Sequence, residues 1–490
     1  MNKLINILVV SFVLSLFSVS GQNTFDDYEK KMNERYGKYE KQANDRFNSY
    51  RDKANAAFAA YMRKGWKAFE GNASNPIPKT PDPVKQPQVE PNIKPKPESV
   101  PFDKIIPIPA TPVQPQPIEP IPEIPVKQTD EKFEFDFYNT HFSVRLADSL
   151  RFSLPSVTEE AVARIWLKLS KPAYNAFISD CLALRENYKL CDWAYLQLLK
   201  KLSVNFMGAD NENESTLLQI FVLSQSGYKV RLARSQNNKI RLLLASDYQI
   251  YQYPFYTLGG IRYYLIDSNE NQLYIFNQEF PNEKQFSLSI ASEMLLNQSK
   301  TNVKEFSAER FPAVKIQSQT YKEAIDFYNN YPKCDWKVYA NTALSNLIKS
   351  KAYPVLRQCL ADKSEAEGAN ALINFVQTAF QYQTDDQQFG YERPFFSDEL
   401  FYYPYSDCED RSILFSRLVR DLLNLDVVLL HYPNHLATAV KFNENIEGDY
   451  LFVNGAKYTV CDPTYIGADI GMAMPQFKEI KADVYTLEIK

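Results

Sequence analysis

The sequence predicts an α+β protein in which helices pack on antiparallel sheets, carried behind a long helix and a proline-rich linker. Three observations predict it. From residue 131 onward, segments with helical spacing of apolar residues come in groups and are followed by groups of short alternating strands. Residues 24–70 repeat every 11 residues. Seventeen of the 29 prolines fall between residues 74 and 127.

The bulk composition narrows the function classes. The chain has 490 residues, 45% of them apolar and 23% charged, which suits two or three globular domains. A net charge of −4 without a basic block argues against a dedicated nucleic-acid binder. There are 14 glycines, and neither a G-x-G-x-x-G nor a G-x-x-x-x-G-K-[ST] run occurs, so phosphate cradles of those types are excluded. Three histidines leave few ways to build a His-based metal site, and no cofactor or metal is expected.

Residues 1–21 read as a secretory signal peptide. Lys3 supplies the positive charge, Ile5–Phe17 the apolar stretch, and Val19, Ser20 and Gly21 a small-residue cleavage site. The chain is therefore expected to be exported, to the periplasm, the cell surface or the medium. Residues 22–72 are expected to form an amphipathic helix. Phe25, Tyr36, Phe47, Phe58 and Phe69 recur every 11 residues, as do Tyr28, Tyr39, Tyr50 and Tyr61. Steps of 3, 4 and 4 give one apolar stripe, which should pack on another copy, a partner or a surface unless the helix is a solvated stalk. Residues 73–130 read as an extended spacer of polyproline type with no fold of their own.

Two globular segments follow, at 131–305 and 306–490. In the first, Phe133–Arg145 alternates like strands. Glu159–Leu169, Asp192–Leu202 and Leu217–Leu223 look helical, and the last ends at Gly227. Strands are expected at Lys229–Ala233, Ile240–Ala245, Tyr263–Ile266 and Leu273–Phe276. In the second, Tyr321–Tyr328, Trp336–Ser350, Ala352–Leu360, Ala369–Tyr382 and Ile413–Leu423 look helical. A loop spans Gln383–Asp407. Strands are expected at Val427–His431, Thr438–Phe442, Tyr450–Val453 and Lys457–Cys461.

Three short segments of the second unit carry chemistry. They are Ser406-Asp407-Cys408-Glu409-Asp410-Arg411-Ser412, Pro433-Asn434-His435-Leu436-Ala437, and Val460-Cys461-Asp462-Pro463-Thr464-Tyr465. Cys408 precedes a helical pattern, and a thiol at a helix N-terminus meets unpaired N–H groups that favour thiolate. His435 opens a strand, and Asp462 closes one. A thiol nucleophile needs a base, and the base needs an orienting carboxylate.

These segments resemble the transglutaminase-like (papain-like) superfamily of cysteine enzymes, in its bacterial exported form. The resemblance covers about residues 369–465. It implies that Cys408 is the nucleophile, His435 the general base and acid, and Asp462 the residue that orients the imidazole. It implies an oxyanion hole made by the backbone N–H of the nucleophile and an upstream side chain, for which Gln377 and Gln381 are the candidates. Many relatives carry Gly where this chain has Ser406. The implied substrate is a protein or peptide carboxamide, with the loop around Tyr391–Tyr405 walling the cleft.

The other scarce residues read as structural. Cys461 is a core residue, or at most an oxidation partner of Cys408. His431 and His435 are four apart but separated by Pro433, so they share no helical face. His141 lies on an isolated strand. Asp407, Glu409 and Asp410 point to a local salt bridge with Arg411 or Arg417. Cys181–Cys191 and Cys334–Cys359 are pairings that an oxidising compartment would allow.

Residues 192–280 resemble a weak echo of 369–465. In that register Asn211 stands for Cys408, Lys239 for His435, and Asn277 falls near Asp462. Two readings stay open for this segment: a degenerate copy that serves as a binding or scaffolding module, or an unrelated α+β unit. The same holds for the whole chain, which is either an acyl-transfer enzyme or a catalytically inactive surface scaffold.

Overall fold

The structure, a computed structural model, describes residues 49–78, 104–106 and 131–488. The expected signal peptide, the first half of the repeat helix and most of the proline-rich linker lie outside these residues. Where described, the chain is an α+β protein with two six-stranded sheets.

Residues 49–62 are helical (α1). Phe58 and Met62 are buried, and the Phe58 ring lies 4.8 Å from the rings of both Trp166 and Phe276. Buried polar side chains fasten the same face. Arg51 donates to Asn175 Oδ1 at 3.0 Å, and Asn55 Oδ1 accepts from Trp166 Nε1 at 3.0 Å. This part of the apolar stripe is therefore covered by the chain's own first globular unit. The helix does not run to residue 72 as expected. It stops at 62 because Gly65 takes a left-handed backbone (φ 97°), and Lys67–Glu70 becomes strand β1.

The proline-rich segment contributes one short strand, β2 (Lys104–Ile106), where no fold was expected. The hairpin β3 (Lys132–Phe137) and β4 (Thr140–Arg145) follows, with Tyr138 and Asn139 at positive φ in its two-residue turn. Next come α2 (Glu159–Leu169), α3 (Asn175–Asn187), α4 (Asp192–Met207) and α5 (Glu212–Gln225). The periodicity had not indicated α3. Strands β5 (Val230–Ser235), β6 (Ile240–Ala245), β7 (Phe255–Leu258), β8 (Ile261–Leu265) and β9 (Gln272–Phe276) complete the unit.

The first sheet has the order β1-β9-β5-β6-β8-β7, antiparallel throughout. Beyond β1 the chain continues to Asn72, which bridges Phe255 on β7. Residues 67–72 thus touch both edges of the sheet and nearly close it, which removes exposed edges. Gly71 permits the closure: a Cβ there would lie 2.9 Å from the Tyr256 ring.

The second unit opens with the ribbon β10 (Lys304–Ser307) and β11 (Lys315–Ser318), then α6 (Lys322–Asn329). The expected helix 336–350 is split. Helix α7 covers Trp336–Asn341, and α8 (Asn346–Leu360) restarts behind Ser345, whose hydroxyl caps it. Helix α9 (Glu365–Ala379) starts with a Ser364–Glu367 capping box. It ends before the expected Tyr382, because Gln381–Tyr382 forms strand β12. The short helix α10 (Asp385–Gln388) and strand β13 (Tyr405–Ser406) lead to α11 (Cys408–Leu422). Strands β14 (Asp426–Tyr432), β15 (His435–Lys441), β16 (Tyr450–Val453), β17 (Ala456–Cys461) and β18 (Asp483–Thr486) follow.

The second sheet has the order β16-β17-β15-β14-β18-β2. Five strands of each half, counted along the chain, therefore lie in the same spatial order: fifth, first, second, fourth, third. All those neighbours are antiparallel in both sheets. Each sheet then adds a strand from the N-terminal segment beside its fifth strand, antiparallel for β1 and parallel for β2.

The local landmarks agree as well. Gly227 and Asn424 both take positive φ after α5 and α11, as do Asn238 and Asn434 in the hairpins that follow. Lys239 and His435 are each the first residue past their hairpin turn. Four residues on, Leu243 pairs with Leu265, and Ala439 pairs with Val460. This register puts Asp267 at the place of Asp462. Asn277, the counterpart expected from sequence, instead follows β9 and has no relation to that position.

Candidate active site

Helix α11 begins at Cys408, with Asp407 as its N-cap. The Asp407 N–H donates to Asp410 Oδ2 at 3.2 Å, so an acidic residue in the first turn fixes the entry of the chain. The parallel pairing of β12 with β13 sets Tyr382 opposite Ser406, two residues before the thiol. The Ser412 hydroxyl donates to the Leu436 carbonyl at 2.8 Å and ties the second turn of α11 to the start of β15. The Leu436 N–H lies against the sulfur.

His435 is held rigidly. Its Nε2 is 2.7 Å from Asp462 Oδ2, and both residues are 2% exposed. The other Asp462 oxygen accepts the Thr464 N–H at 2.9 Å. The Phe477 ring stacks on the imidazole at 4.8 Å with an interplanar angle of 4°. With Nε2 on the carboxylate, Nδ1 is the nitrogen left for a proton exchange with a thiol. Of the residues expected at the site, His435 and Asp462 are thus in direct contact, and Cys408 sits at the strand that carries the imidazole.

The thiol itself is closed off. Cys408 is 1% exposed, and its Sγ lies 3.3 Å from Glu409 Oε2 as a donor. Burial pushes the Cys408 thiol well above its ordinary value and the Asp407 charge adds to this, while the Leu436 N–H and the Glu409 carboxyl act the other way. Burial thus favours the neutral thiol over the thiolate.

The two oxyanion candidates are placed differently from expectation. Gln377 turns its amide N–H groups to the carbonyls of Tyr465 (2.9 Å) and Ala468 (3.0 Å), with Asp462 O at 3.5 Å. Those donors hold the loop that carries Asp462, so they are already engaged. Gln381 is not on the preceding helix: it is exposed on β12.

Among the described residues neither Asp407 nor Asp410 forms the salt bridge to Arg411 or Arg417 that the sequence had suggested. Arg411 donates to Ser406 Oγ, Gln377 O and Phe380 O, and Arg417 bonds to Asp421. Instead Asp407 and Asp410 gather with Asp385 from α10, and Glu409 gathers with Asp385 and Glu392. Burial, then the neighbouring Asp410 charge, pushes Asp385 up to about 9. Burial also lifts Asp410 to about 7, against the Phe395 and Asp407 N–H groups. Asp407 and Glu409 move in the same direction, first from burial and then from Glu409 and Cys408 respectively. Asp407 Oδ1, Thr384 Oγ1 and Gln388 Oε1 are buried without a hydrogen-bond partner among the described residues. This all-oxygen set is of the kind that holds a hard divalent cation. The expectation from sequence was of no metal.

The remaining scarce residues fall elsewhere. His431 lies against Trp336, with its ring 4.7 Å away, and 4.0 Å from Asp483. His141 is 3.0 Å from Asp136, both on the exposed face of the β3–β4 hairpin. All six cysteines are free, so neither Cys181–Cys191 nor Cys334–Cys359 is bridged. Cys461 is buried with its sulfur 3.5 Å from the Thr459 carbonyl. Phe477, Asp385 and Tyr382 were not foreseen. Phe477 and Asp385 carry no motif, and Tyr382 lay inside what looked like a helix.

No protein-family model, no curated protein and no solved structure matches the chain.

Proposed function

We propose that the protein is an exported cysteine acyl-transfer enzyme of the transglutaminase-like (papain-like) type, with Cys408, His435 and Asp462 as its triad and a protein or peptide as its substrate. The observation that carries this reading is the buried 2.7 Å contact between His435 and Asp462, beside a thiol at the first position of α11. The shared strand order supports reading residues 192–280 as a degenerate copy of the same unit, with Asn211, Lys239 and Asp267 in the three places.

The chemistry follows from the atoms. His435 Nδ1 takes the thiol proton, and Asp462 stabilises the imidazolium through Nε2. The sulfur attacks a carboxamide carbon, and the oxyanion faces the N–H groups at the start of α11. The C–N bond breaks as His435 returns the proton to the leaving amine, which leaves a thioester on Cys408. Water then gives a free acid, or an amine gives a new amide. For this to begin, the sulfur must turn from Glu409 toward His435. Gln377 acts as a positioning residue, through the loop that carries Asp462.

One observation favours the second reading, an inactive scaffold: the thiol is covered and its proton is directed to Glu409. Alkylation with iodoacetamide, mapped by mass spectrometry over pH 5–10, separates the two. An enzyme labels at Cys408 at mildly acidic pH, and Cys408→Ala removes that label. A scaffold thiol labels only above its raised pKa, and that result would overturn the proposal.

A further inference from the structure

The first half carries a cavity that no triad residue lines. In the second half, the 21 residues 462–482 between β17 and β18 pack over α9, where Gln377 bonds the loop carbonyls and Asn370 accepts the Ile470 N–H at 2.9 Å. In the first half the connection between β8 and β9 is only the six residues 266–271. The corresponding face of α4 is left without that cover, and a cavity of about 410 Å³ opens there.

The walls of this cavity are chemically divided. Trp193, Leu196 and Leu242 are buried at its base, with Val204 and Ile266 partly exposed around them. Lys200 and Lys201 stand on the rim with Asp267. Lys200 bonds Asp267 at 2.6 Å, whereas Lys201 has no anionic partner among the described residues. The Tyr253 hydroxyl on the same cavity is likewise without a hydrogen-bond partner among them. An apolar pocket of roughly 300–1,000 Å³ with a few converging polar groups is the usual form of a small-ligand site. One excess positive charge and a free hydroxyl at its mouth select an anion.

We infer that this cavity binds an apolar carboxylate, an N-acylated aromatic or branched amino acid, with the side chain against Trp193, Leu196 and Leu242 and the carboxylate at Lys201 and Tyr253. Such a group occurs free or as the C-terminal residue of a peptide. The site does not depend on the acyl-transfer reading, because no triad residue lines it.

The test is calorimetric titration of the full chain with N-acetyl-L-phenylalanine and with its neutral amide. Saturable binding of the acid is expected, with the amide about fivefold weaker, the worth of one partly exposed charge contact. Lys201→Glu should weaken the acid by at least that factor. Val204→Trp, which fills the cavity from a half-exposed helix position, should abolish binding while the circular dichroism spectrum and melting profile stay those of the wild type. N-acetyl-Ala-Ala-Phe assigns the source: tighter binding than the single residue marks a peptide C-terminus, and weaker binding marks the free acid. Absence of saturation by ~10 mM (a Kd that weak is no more than ~3 kcal/mol of affinity), equal affinity for acid and amide, or binding unchanged in a folded Val204→Trp variant would each overturn the inference.

Discussion

Replacing Asp410 by Asn should reverse sign in its effect on stability between pH 4 and pH 8. Asp410 is 1% exposed, and it accepts the Phe395 N–H at 2.8 Å on one oxygen and the Asp407 N–H at 3.2 Å on the other. Burial holds its folded pKa up at about 7, whereas an unfolded Asp titrates near ~3.9. Between those values the folded state keeps a proton that the unfolded state has lost. The native form then binds more protons, so stability is full below about pH 4 and falls as pH rises toward 7. Asp385, lifted to about 9, extends the decline. Three units at ~1.4 kcal/mol each set an upper bound of about 4 kcal/mol, and coupling within the cluster reduces it to about 2–4 kcal/mol. Asparagine is neutral throughout but turns its amide NH2 toward one of the two N–H groups, where the protonated acid still offers an oxygen, a loss of about 1–2 kcal/mol. The variant should therefore be less stable than the wild type at pH 4, about equal near pH 5, more stable at pH 8, and flatter between. Urea unfolding followed by circular dichroism at pH 4, 5, 6, 7 and 8 measures this. A wild type whose stability stays level or rises from pH 5 to 8, or a variant with the wild-type slope, would refute the reasoning.

Three further outcomes follow from the same contacts. Asp462→Asn keeps the acceptor for the Thr464 N–H but presents an amide N–H to His435 Nε2, forcing the wrong tautomer. The rate of Cys408 acylation by p-nitrophenyl acetate should fall by ~10³–10⁴ with little change in melting temperature, and a fall of under tenfold would count against the triad. Gln377→Leu strands the carbonyls of Tyr465 and Ala468 and should destabilise by about 2–3 kcal/mol in urea, with acylation slowed through the loosened Asp462 loop; unchanged values for both would remove its positioning role. Gly71→Ala drives a methyl against the Tyr256 ring, which is itself anchored by its hydroxyl on the Glu270 carbonyl at 2.7 Å. A loss of about 1–3 kcal/mol is expected, and a neutral variant would mean the sheet closure is looser than described.

The elements legible in the sequence were those whose cause is local. The helix behind Cys408 and the strands β14 and β17 each follow from a few neighbouring residues. What was not legible depends on packing between distant segments. Phe477 reaches His435 from 42 positions away, and Asp385 joins Asp410 across the loop that both border. The salt bridges expected at Arg411 failed because its guanidinium is drawn to the carbonyls of Gln377 and Phe380 at the end of α9, which no spacing rule exposes. The helix expected to reach residue 72 ended early at Gly65, which fits the 11-residue spacing but not helical backbone. Burial of the Cys408 thiol likewise belongs to the tertiary structure: a helix N-terminus favours thiolate, but desolvation outweighs it here.

The two halves separate what a scaffold determines from what its connections determine. Strand order, strand direction and the left-handed residues at the helix ends and hairpins are shared, so these features do not by themselves make a site. An aspartate even occupies the same place in both, yet Asp462 meets an imidazole at 2.7 Å while Asp267 meets Lys200 at 2.6 Å. The difference lies in the stretch that follows. Residues 462–482 bring Phe477 against the imidazole, accept the Gln377 N–H groups and close over α9, which fixes the carboxylate and excludes water from the His–Asp contact. Residues 266–271 are too short to return across α4, so the same face stays open and the aspartate remains half-exposed on a surface ion pair. Connection length thus converts one arrangement of strands into a sealed triad in one half and an apolar cavity with a charged rim in the other.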